Sequence, residues 1–359
     1  MKIVIFAGGV GTRLWPLSRK NSPKQFQKIF SGKSTLQLSV ERVLPLTKPA
    51  NIYISTGKVY VSLVKKQLKN IPPKNIIAEP ERREVGPAVG LVTAILSKFF
   101  PNEPILLMWS DHFIGNEEYF RKMVRSGEKY IRKNPKKIVL FGEQPRFADP
   151  NLGWIKLGRK VVEIDQISFF QLESFYYQPP PSLAKDFFQK QTYIWNLGYW
   201  LTTPAYLFSC FQRFAPNIYQ GLVIIQKAYG TKKFSAVLAR EYSRFPKITF
   251  DHAIAEQLPR EDVLVLKGNL AWRDVGTWDG LMATLAGASQ NYIAGKVLTK
   301  DTRGCLFLNL GKKMVVGIDL RDIIVANTND VILITPRRSM RKLKKFVEEL
   351  EGGDNRHLI

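Results

Sequence analysis

The sequence predicts an α/β protein: a mostly parallel sheet with helices on both faces, followed by a small all-β module. In the first 150 residues, short apolar runs of strand length alternate with longer segments whose apolar residues have helical spacing. This alternation is typical of a parallel sheet covered by helices. Beyond about residue 288 the pattern changes to short β-like runs separated by Gly, Asn or Asp. A chain of 359 residues is long enough for both units.

The elements of the sheet can be placed along the chain in order. Apolar runs predict strands at residues 3–6, 52–55, 105–109 and 138–141. Segments of helical spacing between them predict helices at residues 36–44, 59–68, 88–100 and 119–131. In a sheet of this class the ligand lies at the carboxyl ends of the strands.

Two further regions follow. Residues 151–290 are mixed in character, with several helices between 204 and 257, as expected of an insertion that covers an active-site crevice. The strands of the β module are predicted at residues 305–309, 314–318, 323–326 and 331–334. An amphipathic helix over residues 340–350 ends the module. We find no sequence repeat.

The charge of the chain raises the question of a polyanionic partner. Lys and Arg number 54 against 30 Asp and Glu, and residues 1–150 carry 26 of the basic and 11 of the acidic side chains. Such an excess favours binding to nucleic acids or anionic membranes. However, the basic runs at 65–66, 132–133 and 341–345 lie on helical faces without aromatic residues between them for base stacking. We therefore expect solvated surfaces and no nucleic-acid partner.

The apolar stretches and the cysteines exclude other classes. No apolar stretch approaches the ~18 residues of a membrane span, so we expect no membrane partner. Cys210 and Cys305 each lie in an apolar stretch without a second ligand at metal-binding spacing, which favours two small core residues. The lack of a disulfide framework fits a reducing compartment, and we expect a soluble cytoplasmic protein.

A glycine-rich loop, AGGVGTRL at residues 7–14, directly follows the first predicted strand. Its glycines allow the backbone to approach a ligand closely, and successive N–H groups can line an anion site. The loop lacks the Gly-Lys-Ser/Thr of a P-loop and the third glycine of the dinucleotide fingerprint. Arg13 and Lys24 add positive charge nearby. Loop and cations together suit a triphosphate, and an ordinary tight turn is the alternative.

A carboxylate, Asp111, follows the predicted strand at 105–109 in the segment Ser110-Asp111-His112. At the carboxyl end of a strand, in a sheet that binds a triphosphate, it would suit a hard Mg²⁺ ion. The alternative is a helix N-cap or a turn residue.

Residues 7–19 (AGGVGTRLWPLSR) and 23–26 (PKQF) closely resemble the signature of the sugar-nucleotide pyrophosphorylase family. Within it they are similar to the group that transfers GMP from GTP to α-D-mannose 1-phosphate, giving GDP-mannose and pyrophosphate. The resemblance implies a Rossmann-like nucleotidyltransferase domain at residues 1–288, with a mixed, mostly parallel sheet. It implies a left-handed β-helix-like module at residues 289–359. The implied reaction is a metal-assisted in-line attack without a covalent intermediate, and the implied cofactor is Mg²⁺. The oligomeric state is left open, with a homodimer as one option.

The resemblance also implies a set of site residues. Arg13 and Lys24 would be the catalytic cations, and Asp111 and Asp274 the metal carboxylates, the latter in the motif Trp272-Arg273-Asp274-Val275-Gly276. The implied nucleotide-binding residues are Ala7, Gly8, Gly9, Gly11, Thr12, Arg13, Glu79, Pro87 and Ser110. The implied sugar-binding residues are Gly153, Asn196 and Asp251.

The sequence departs from the family pattern where base and sugar contacts are expected. Glu84 replaces an amide, Leu152 stands where Tyr is usual, and Tyr177-Gln178 stands where Glu-Lys is expected. These departures leave open the same chemistry on another sugar 1-phosphate or nucleoside triphosphate.

An alternative of a different class is a non-catalytic or nucleic-acid-binding protein that kept the fold. The presence of both metal carboxylates and both cations argues against it. The histidines are His112, His252 and His357, and none lies in a nucleophile motif, which disfavours covalent catalysis.

Overall fold

The strands predicted from apolar runs are present, with further strands between them. A computed structural model describes residues 1–9, 11–30, 32–286 and 291–359. In chain order the strands are β1 Lys2–Phe6, β2 Ile52–Gly57, β3 Ile76–Glu79, β4 Ile105–Trp109, β5 His112–Phe113, β6 Ile138–Glu143, β7 Gly153–Ile164, β8 Ile167–Tyr177, β9 Tyr193–Thr202, β10 Val263–Gly268, β11 Arg273–Asp274, β12 Tyr292–Ala294, β13 Val297–Lys300, β14 Leu306–Asn309, β15 Val315–Ile318, β16 Ile323–Asn327 and β17 Ile332–Pro336.

The helices agree with the segments of helical spacing. They are α1 Thr35–Val43, α2 Val61–Gln67, α3 Val85–Phe99, α4 Glu117–Lys133, α5 Pro181–Lys190, α6 Pro204–Phe214, α7 Pro216–Ala228, α8 Phe234–Tyr242, α9 Phe250–Ala253, α10 Trp278–Leu285 and α11 Leu343–Glu351. Short 3₁₀ turns occur at Thr12–Leu14, Lys24–Phe26, Pro49–Asn51, Lys58–Tyr60, Pro73–Asn75, Ala255–Gln257, Arg260–Asp262, Arg337–Lys342 and Arg356–Leu358. No helix in the described part of the chain is long and apolar enough to cross a membrane.

The chain divides into two compact units that are not contiguous in sequence. The first unit comprises Met1–Gly8, Val40–Ser110 and Ile114–Trp272, and the second comprises Gly9–Ser39, Asp111–Phe113 and Arg273–Ile359. The second unit thus combines the glycine-rich segment with the C-terminal residues. The predicted domain boundary between residues 288 and 289 lies outside the described residues and stays a prediction.

The first unit contains a nine-stranded sheet of order β3-β2-β1-β4-β9-β6-β10-β8-β7. Strands β3, β2, β1 and β4 are mutually parallel, and β6 is parallel to β10. Strands β8 and β9 run antiparallel to their neighbours, so all the others share one direction. The predicted mixed, mostly parallel sheet is confirmed.

Helices cover both faces of this sheet. Successive strand residues point to opposite sides, so neighbouring residues of one strand face different helices. Leu140 of β6 lies in a core cluster with Leu91 of α3 and Phe211 of α6. Its neighbour Val139 faces α4, where a Cβ added to Gly127 would lie 3.8 Å from the Val139 side chain. The carboxyl ends of the parallel strands β1, β3 and β4 therefore meet at one edge between two helical layers.

The second unit contains the predicted β module. Strands β12, β14 and β16 are parallel in one sheet, and β13 pairs in parallel with β15 in another. Paired residues are 18 positions apart between β14 and β16 and between β13 and β15, and 14 positions apart between β12 and β14. Asn309 and Asn327 form one of the 18-residue pairs, and their side chains are joined by a 2.8 Å hydrogen bond. The parallel strands are consistent with the expected β-helix-like module, and the last strand, β17, pairs antiparallel to β16. The left-handed sense of the helix stays a prediction. The core of the unit includes Trp278 of α10, Leu306 and Ile324 of the module and Val347 of α11.

Candidate active site

The glycine-rich loop has the backbone conformation that its sequence suggests. Gly9 and Gly11 have φ angles of 89° and 72°, in the left-handed region that favours glycine. Gly11 precedes the 3₁₀ turn Thr12–Leu14, and a Cβ added to it would lie 2.9 Å from the side chain of Lys24. The loop is held by Gln25, whose Nε2 donates to the carbonyl of Gly9 at 3.3 Å. Glycine at 11 is thus required both by the turn and by the close passage of Lys24.

Lys24 forms an ion pair with Asp111 in the second unit. The Nζ of Lys24 lies 2.6 Å from Oδ2 of Asp111, and the two side chains are 11% and 25% exposed. Burial alone would lower the pKa of Lys24, but the carboxylates of Asp111 and Asp274 outweigh it and raise that pKa. Burial would raise the pKa of Asp111, yet Lys24 and then His112 hold it well below its usual range. Both groups are therefore charged at neutral pH.

Asp274 is brought to the same ammonium by a short β ladder. β11 pairs with β5 so that Asp274 lies opposite His112, and the N–H of Val275 donates to the Asp111 carbonyl at 3.4 Å. Oδ1 of Asp274 accepts a 2.7 Å hydrogen bond from the N–H of Gly276. A Cβ added to Gly276 would clash with Nζ of Lys24 and lie 2.7 Å from Oδ1 of Asp274. The structure thus brings together Lys24, Asp111 and Asp274.

Arg13 lies beside this group of charges. Its side chain is exposed, and its positive charge opposes the raised pKa of Lys24, so the two cations are near each other. Two cations and two carboxylates thereby share one region with the glycine turn. Such an arrangement can neutralise a polyphosphate and still offer carboxylate oxygens to a metal.

At the carboxyl edge of the first unit's sheet, Ala7 and Ser110 occupy neighbouring positions. The N–H of Ser110 donates to the carbonyl of Phe6 at 3.0 Å, and that of Ala7 donates to Ser55 at 2.7 Å. The hydroxyl of Thr56 donates to the carbonyl of Ala7 at 2.8 Å. Gly8 follows with open space where a Cβ would stand. The predicted placement of Ala7 and Ser110 at strand ends is confirmed.

Glu79 ends β3 as a carboxylate held by two hydroxyls. Its oxygens accept hydrogen bonds from Ser55 Oγ at 3.2 Å and from Tyr242 OH at 3.0 Å. Burial raises the pKa of Glu79, and the two hydroxyl donors oppose that rise without cancelling it. Tyr242 lies 163 residues away in sequence and belongs to no motif, so sequence reasoning missed it.

Two other predicted positions lie nearby along the chain. Pro87 is buried in the first turn of α3. A backbone N–H in this turn has no acceptor within the helix, so proline, which lacks the N–H, costs no helical hydrogen bond. Glu84 precedes this helix with a φ of 66°, a conformation that side chains other than glycine rarely adopt. The departure from the family pattern at residue 84 therefore falls on an unusual backbone position.

The predicted sugar residues Gly153 and Asn196 are direct neighbours across β7 and β9. Gly153 pairs with both Asn196 and Tyr177, and a Cβ added to it would lie 3.3 Å from Cβ of Asn196. Oδ1 of Asn196 accepts a 3.0 Å hydrogen bond from the N–H of Gly198. One row of the sheet thus holds Tyr177, Gly153 and Asn196 side by side.

Asp251 reaches the same neighbourhood through its helix. It lies in the first turn of α9, and the next residue, His252, has its ring 5.7 Å from that of Tyr177. Burial, assisted by Glu256 and opposed by a backbone hydrogen bond and His252, raises the pKa of Asp251 to about 6. Leu152 and Gln178 flank the row, and Gln178 has a φ of 47° and a side-chain hydrogen bond to Asn151 at 3.4 Å.

The chain is similar to known proteins over most of its length. The family model described as nucleotidyl transferase matches residues 2–291. The mannose-1-phosphate guanylyltransferase of Salmonella montevideo is 30% identical over 361 residues, which cover 99% of this chain and 74% of that protein. A protein of the same name from Escherichia coli is 27% identical over 361 residues, covering 99% of this chain and 76% of the relative.

A solved structure shows the same fold over almost the whole chain. The crystal structure of mannose-1-phosphate geranyltransferase from Thermus thermophilus superposes with a TM-score of 0.86 and 27% sequence identity. The match covers 98% of this chain and 99% of that one.

Proposed function

The chain belongs to the nucleotidyl transferase family, and from this premise we propose that it transfers GMP from GTP to α-D-mannose 1-phosphate, giving GDP-mannose and pyrophosphate. The relatives named mannose-1-phosphate guanylyltransferase, which match nearly the full chain, support this substrate pair. The observation that carries the proposal is the ammonium of Lys24 beside the carboxylates of Asp111 and Asp274 and behind the glycine turn.

The proposed reaction is an in-line displacement. A phosphate oxygen of mannose 1-phosphate forms a bond to the α-phosphorus of GTP, and the bond from that phosphorus to pyrophosphate breaks. Because the attacking phosphate is already an anion, the reaction needs orientation and charge stabilisation rather than a general base. Arg13 and Lys24 are the proposed catalytic cations, which stabilise the charge that develops on pyrophosphate.

The carboxylates fit a divalent metal, whose use is general among nucleotidyltransferases. Asp111 and Asp274 offer hard oxygen ligands, as Mg²⁺ prefers. In the described ranges no cluster of three or more His, Cys, Asp and Glu residues could hold a metal alone. We therefore propose that Mg²⁺ is held by Asp111 and Asp274, with the remaining ligands from substrate phosphates and water. When bound, it would neutralise charge on the phosphates.

The remaining site residues are proposed in two groups. The nucleotide-binding group is Ala7, Gly8, Gly9, Gly11, Thr12, Arg13, Glu79, Pro87 and Ser110. The sugar-binding group is Gly153, Asn196 and Asp251, and the row formed by Gly153 and Asn196 on adjacent strands supports it.

A second candidate is the same chemistry with another sugar 1-phosphate or nucleoside triphosphate. One observation favours it: Tyr177, which departs from the family pattern, occupies the same row as Gly153 and Asn196. An aromatic ring there, in place of a carboxylate, would change which hydroxyls of a sugar are recognised.

Pyrophosphate release across a panel of nucleoside triphosphates and sugar 1-phosphates decides between the two. We expect GTP with mannose 1-phosphate to have the highest kcat/KM, and a different best pair would contradict the proposal. The double variant Asp111→Asn/Asp274→Asn is the background control.

We also propose a cytoplasmic location without nucleic-acid or membrane partners. The two cysteines, Cys210 and Cys305, are buried free thiols, which fits a reducing compartment. A homodimer remains a prediction.

A further inference from the structure

A buried carboxylate that belongs to none of the sequence motifs is hydrogen-bonded to the loop that precedes Asp274. Glu143, the last residue of β6, is 0% exposed. It accepts hydrogen bonds from the backbone N–H of Leu270 at 2.7 Å and from that of Trp272 at 3.2 Å. Arg146 donates to it from Nη1 at 3.0 Å. A buried charge is costly unless it is fully paired, and these partners belong to Arg146 or to residues 270–272.

The loop that Glu143 contacts contains no helix or strand. Residues 269–272 lie between β10 and β11, and Ala271 has a φ of 51° in the left-handed region. The carbonyl of Leu270 accepts hydrogen bonds from the N–H groups of Gly115 and Asn116 at 3.0 and 2.9 Å. The backbone N–H groups of Leu270 and Trp272 both donate to the carboxylate of Glu143. The backbone then continues directly into Arg273 and Asp274.

Arg146 connects this loop to the sugar row. Its guanidinium also donates to the carbonyl of Trp272 and lies 5.4 Å over the ring of Trp195. Trp195 in turn packs at 6.2 Å from the ring of Trp272, and it directly precedes Asn196 on β9. One arginine therefore touches the carboxylate, the loop and the strand that bears Asn196.

We propose that Glu143 and Arg146 are positioning residues for nucleotidyl transfer. Glu143 fixes the backbone of residues 270–272, to which Arg273 and Asp274 are directly joined in the chain, and Arg146 ties that loop to Trp195 beside Asn196. This inference rests on the proposed function, which assigns metal binding to Asp274 and sugar binding to Asn196. A merely structural pair would affect folding and leave the kinetics of the folded protein unchanged.

The test uses Arg146→Met in the full chain, because Arg146 is 40% exposed and its loss leaves Glu143 bonded to the backbone. The matched control is Lys137→Met at the opposite ends of β6 and β10. Lys137 pairs with Asp262 at 2.8 Å and donates to the carbonyl of Glu261 at 2.9 Å, so it also combines a carboxylate with a backbone carbonyl.

Two measurements are made on both variants. Hydrogen exchange of peptides spanning residues 268–276 is expected to quicken about tenfold in Arg146→Met and to stay unchanged in Lys137→Met. With the best substrate pair of the panel, kcat is expected to fall about tenfold in Arg146→Met, with a rise in KM for the sugar phosphate and little change in KM for the nucleotide. Arg146→Lys, which keeps one bond to Glu143, should restore part of both effects.

The outcomes separate the inference from the proposed function. Unchanged exchange in Arg146→Met, or faster exchange with unchanged kinetics, overturns the positioning role. Equal kinetic losses in Arg146→Met and Lys137→Met overturn it as well, since both would then reflect general destabilisation. If the wild type prefers another substrate pair, the proposed function fails, while exchange and kinetics with that pair still decide the role of Arg146.

Discussion

Lys24 has two anionic partners that compete for its positive charge. In the free protein its ammonium pairs with Asp111 at 2.6 Å, and in the proposed reaction it faces the phosphates of GTP. A buried ammonium between carboxylates keeps its proton, so the cation is available whenever substrate arrives. The same ammonium compensates both partly buried carboxylates, which would be costly to leave unpaired.

Replacing Lys24 by Met should remove most of the activity. We expect kcat for pyrophosphate release to fall by about 10²–10³, the usual effect of losing one charge-stabilising group. Lys20→Met is the control, because Lys20 pairs with Glu351 at 2.9 Å and both side chains are half-exposed. A loss of similar size in the control would show that charge in this segment, rather than Lys24 itself, is responsible.

The metal carboxylates give a second prediction. Asp111→Asn and Asp274→Asn keep the shape of each side chain but remove the charge that a divalent cation requires, so each should abolish turnover. Pyrophosphate release with and without added Mg²⁺ measures this, and circular dichroism checks the fold. Mg²⁺-dependent turnover retained by either variant would refute its assignment as a ligand.

Asp251 should make stability depend on pH. Its pKa is about 6 in the folded protein against an ordinary value of 3.8, so the folded state binds its proton more tightly than the unfolded state. The resulting stability is fully present below about pH 4, is lost as the pH rises through about 6, and amounts to about 3 kcal/mol. Urea unfolding of wild type and Asp251→Asn at both ends of this range checks it. An unchanged difference between the two proteins would contradict the prediction.

At the scale of elements, the segment after the glycine turn is joined to the β module. Arg19 donates to both carboxylate oxygens of Asp330 at 2.7 Å, and Nε1 of Trp15 donates to the carbonyl of Leu358 at 2.8 Å. Trp278 of α10 donates to the carbonyl of Trp15 at 3.1 Å. These residues of the family signature contact the protein's own C-terminal part, where they hold the segment that carries Lys24.

A double-mutant cycle on Arg19→Gln and Asp330→Asn measures one of these links. The pair is bidentate, but Asp330 is half-exposed, so we expect a coupling free energy of about 0.5–1 kcal/mol in urea unfolding. The same cycle on the exposed pair Lys20 and Glu351 should give less than about 0.3 kcal/mol. Equal coupling in the two cycles would show that the bidentate geometry adds nothing.

The β module depends on an asparagine inside its turns. Asn309 donates to the carbonyls of Lys296 and Lys313 at 2.8 Å each and accepts from Asn327. Asn309→Ala leaves these buried groups without partners, and we expect a loss of about 2–4 kcal/mol of unfolding free energy. The exposed Asn355→Ala should cost less than about 0.5 kcal/mol, and a similar cost in both would argue against the buried network.

Sequence patterns predicted elements best where one period dominates. The strands β1, β4 and β6 are continuous apolar runs and were predicted within two residues at either end. The hairpin β7–β8 mixes Lys, Arg and Glu with apolar residues and was missed, as was the short strand β3. The 18-residue period of the module was missed although the pattern Asp-x-Arg-x5-Asn occurs at residues 301–309 and again at 319–327. Two copies of so short a pattern do not stand out in a single sequence.

The same contrast holds for the site. Lys24, Asp111 and Asp274 were found through motifs, and the structure brings them together. Tyr242 at Glu79 and Arg146 at Glu143 were not, because each contact is set by tertiary packing rather than by local pattern. The assignment of residues 9–39 to the same unit as residues 273–359 was likewise invisible in a linear reading.

At the scale of the whole molecule, the formal net charge of +24 needs a physical explanation. Many of the cations are paired on helical surfaces, as Arg132 is with Glu128 at 2.6 Å and Arg121 with Glu117 at 3.2 Å. The remaining positive potential would attract anionic substrates over distances of a Debye length. It therefore predicts a salt-dependent capture of GTP rather than a binding surface for a polymer.

Raising the NaCl concentration from about 0.1 M to about 1 M shortens the Debye length from about 10 Å to about 3 Å. We expect kcat/KM for GTP to fall severalfold and kcat to stay constant, because steering affects encounter and not the bound complex. A parallel fall in kcat would instead place the salt effect on the folded site. In the same buffers, fluorescence anisotropy should show no saturable binding of single-stranded RNA, and tight binding without turnover would favour the non-catalytic alternative.

The discontinuous second unit has a consequence for biosynthesis. Trp15 leaves the ribosome more than three hundred residues before its partner Leu358, and the hydrogen bond between them spans 343 positions. The nine-stranded sheet of the first unit can form once Trp272 has emerged, but the glycine turn, Lys24 and Asp111 must wait for Asp274 and the module behind it. A nascent chain that stops before Asp274 lacks the second carboxylate beside Lys24, so the group formed by Lys24, Asp111 and Asp274 cannot assemble until residue 274 has been made.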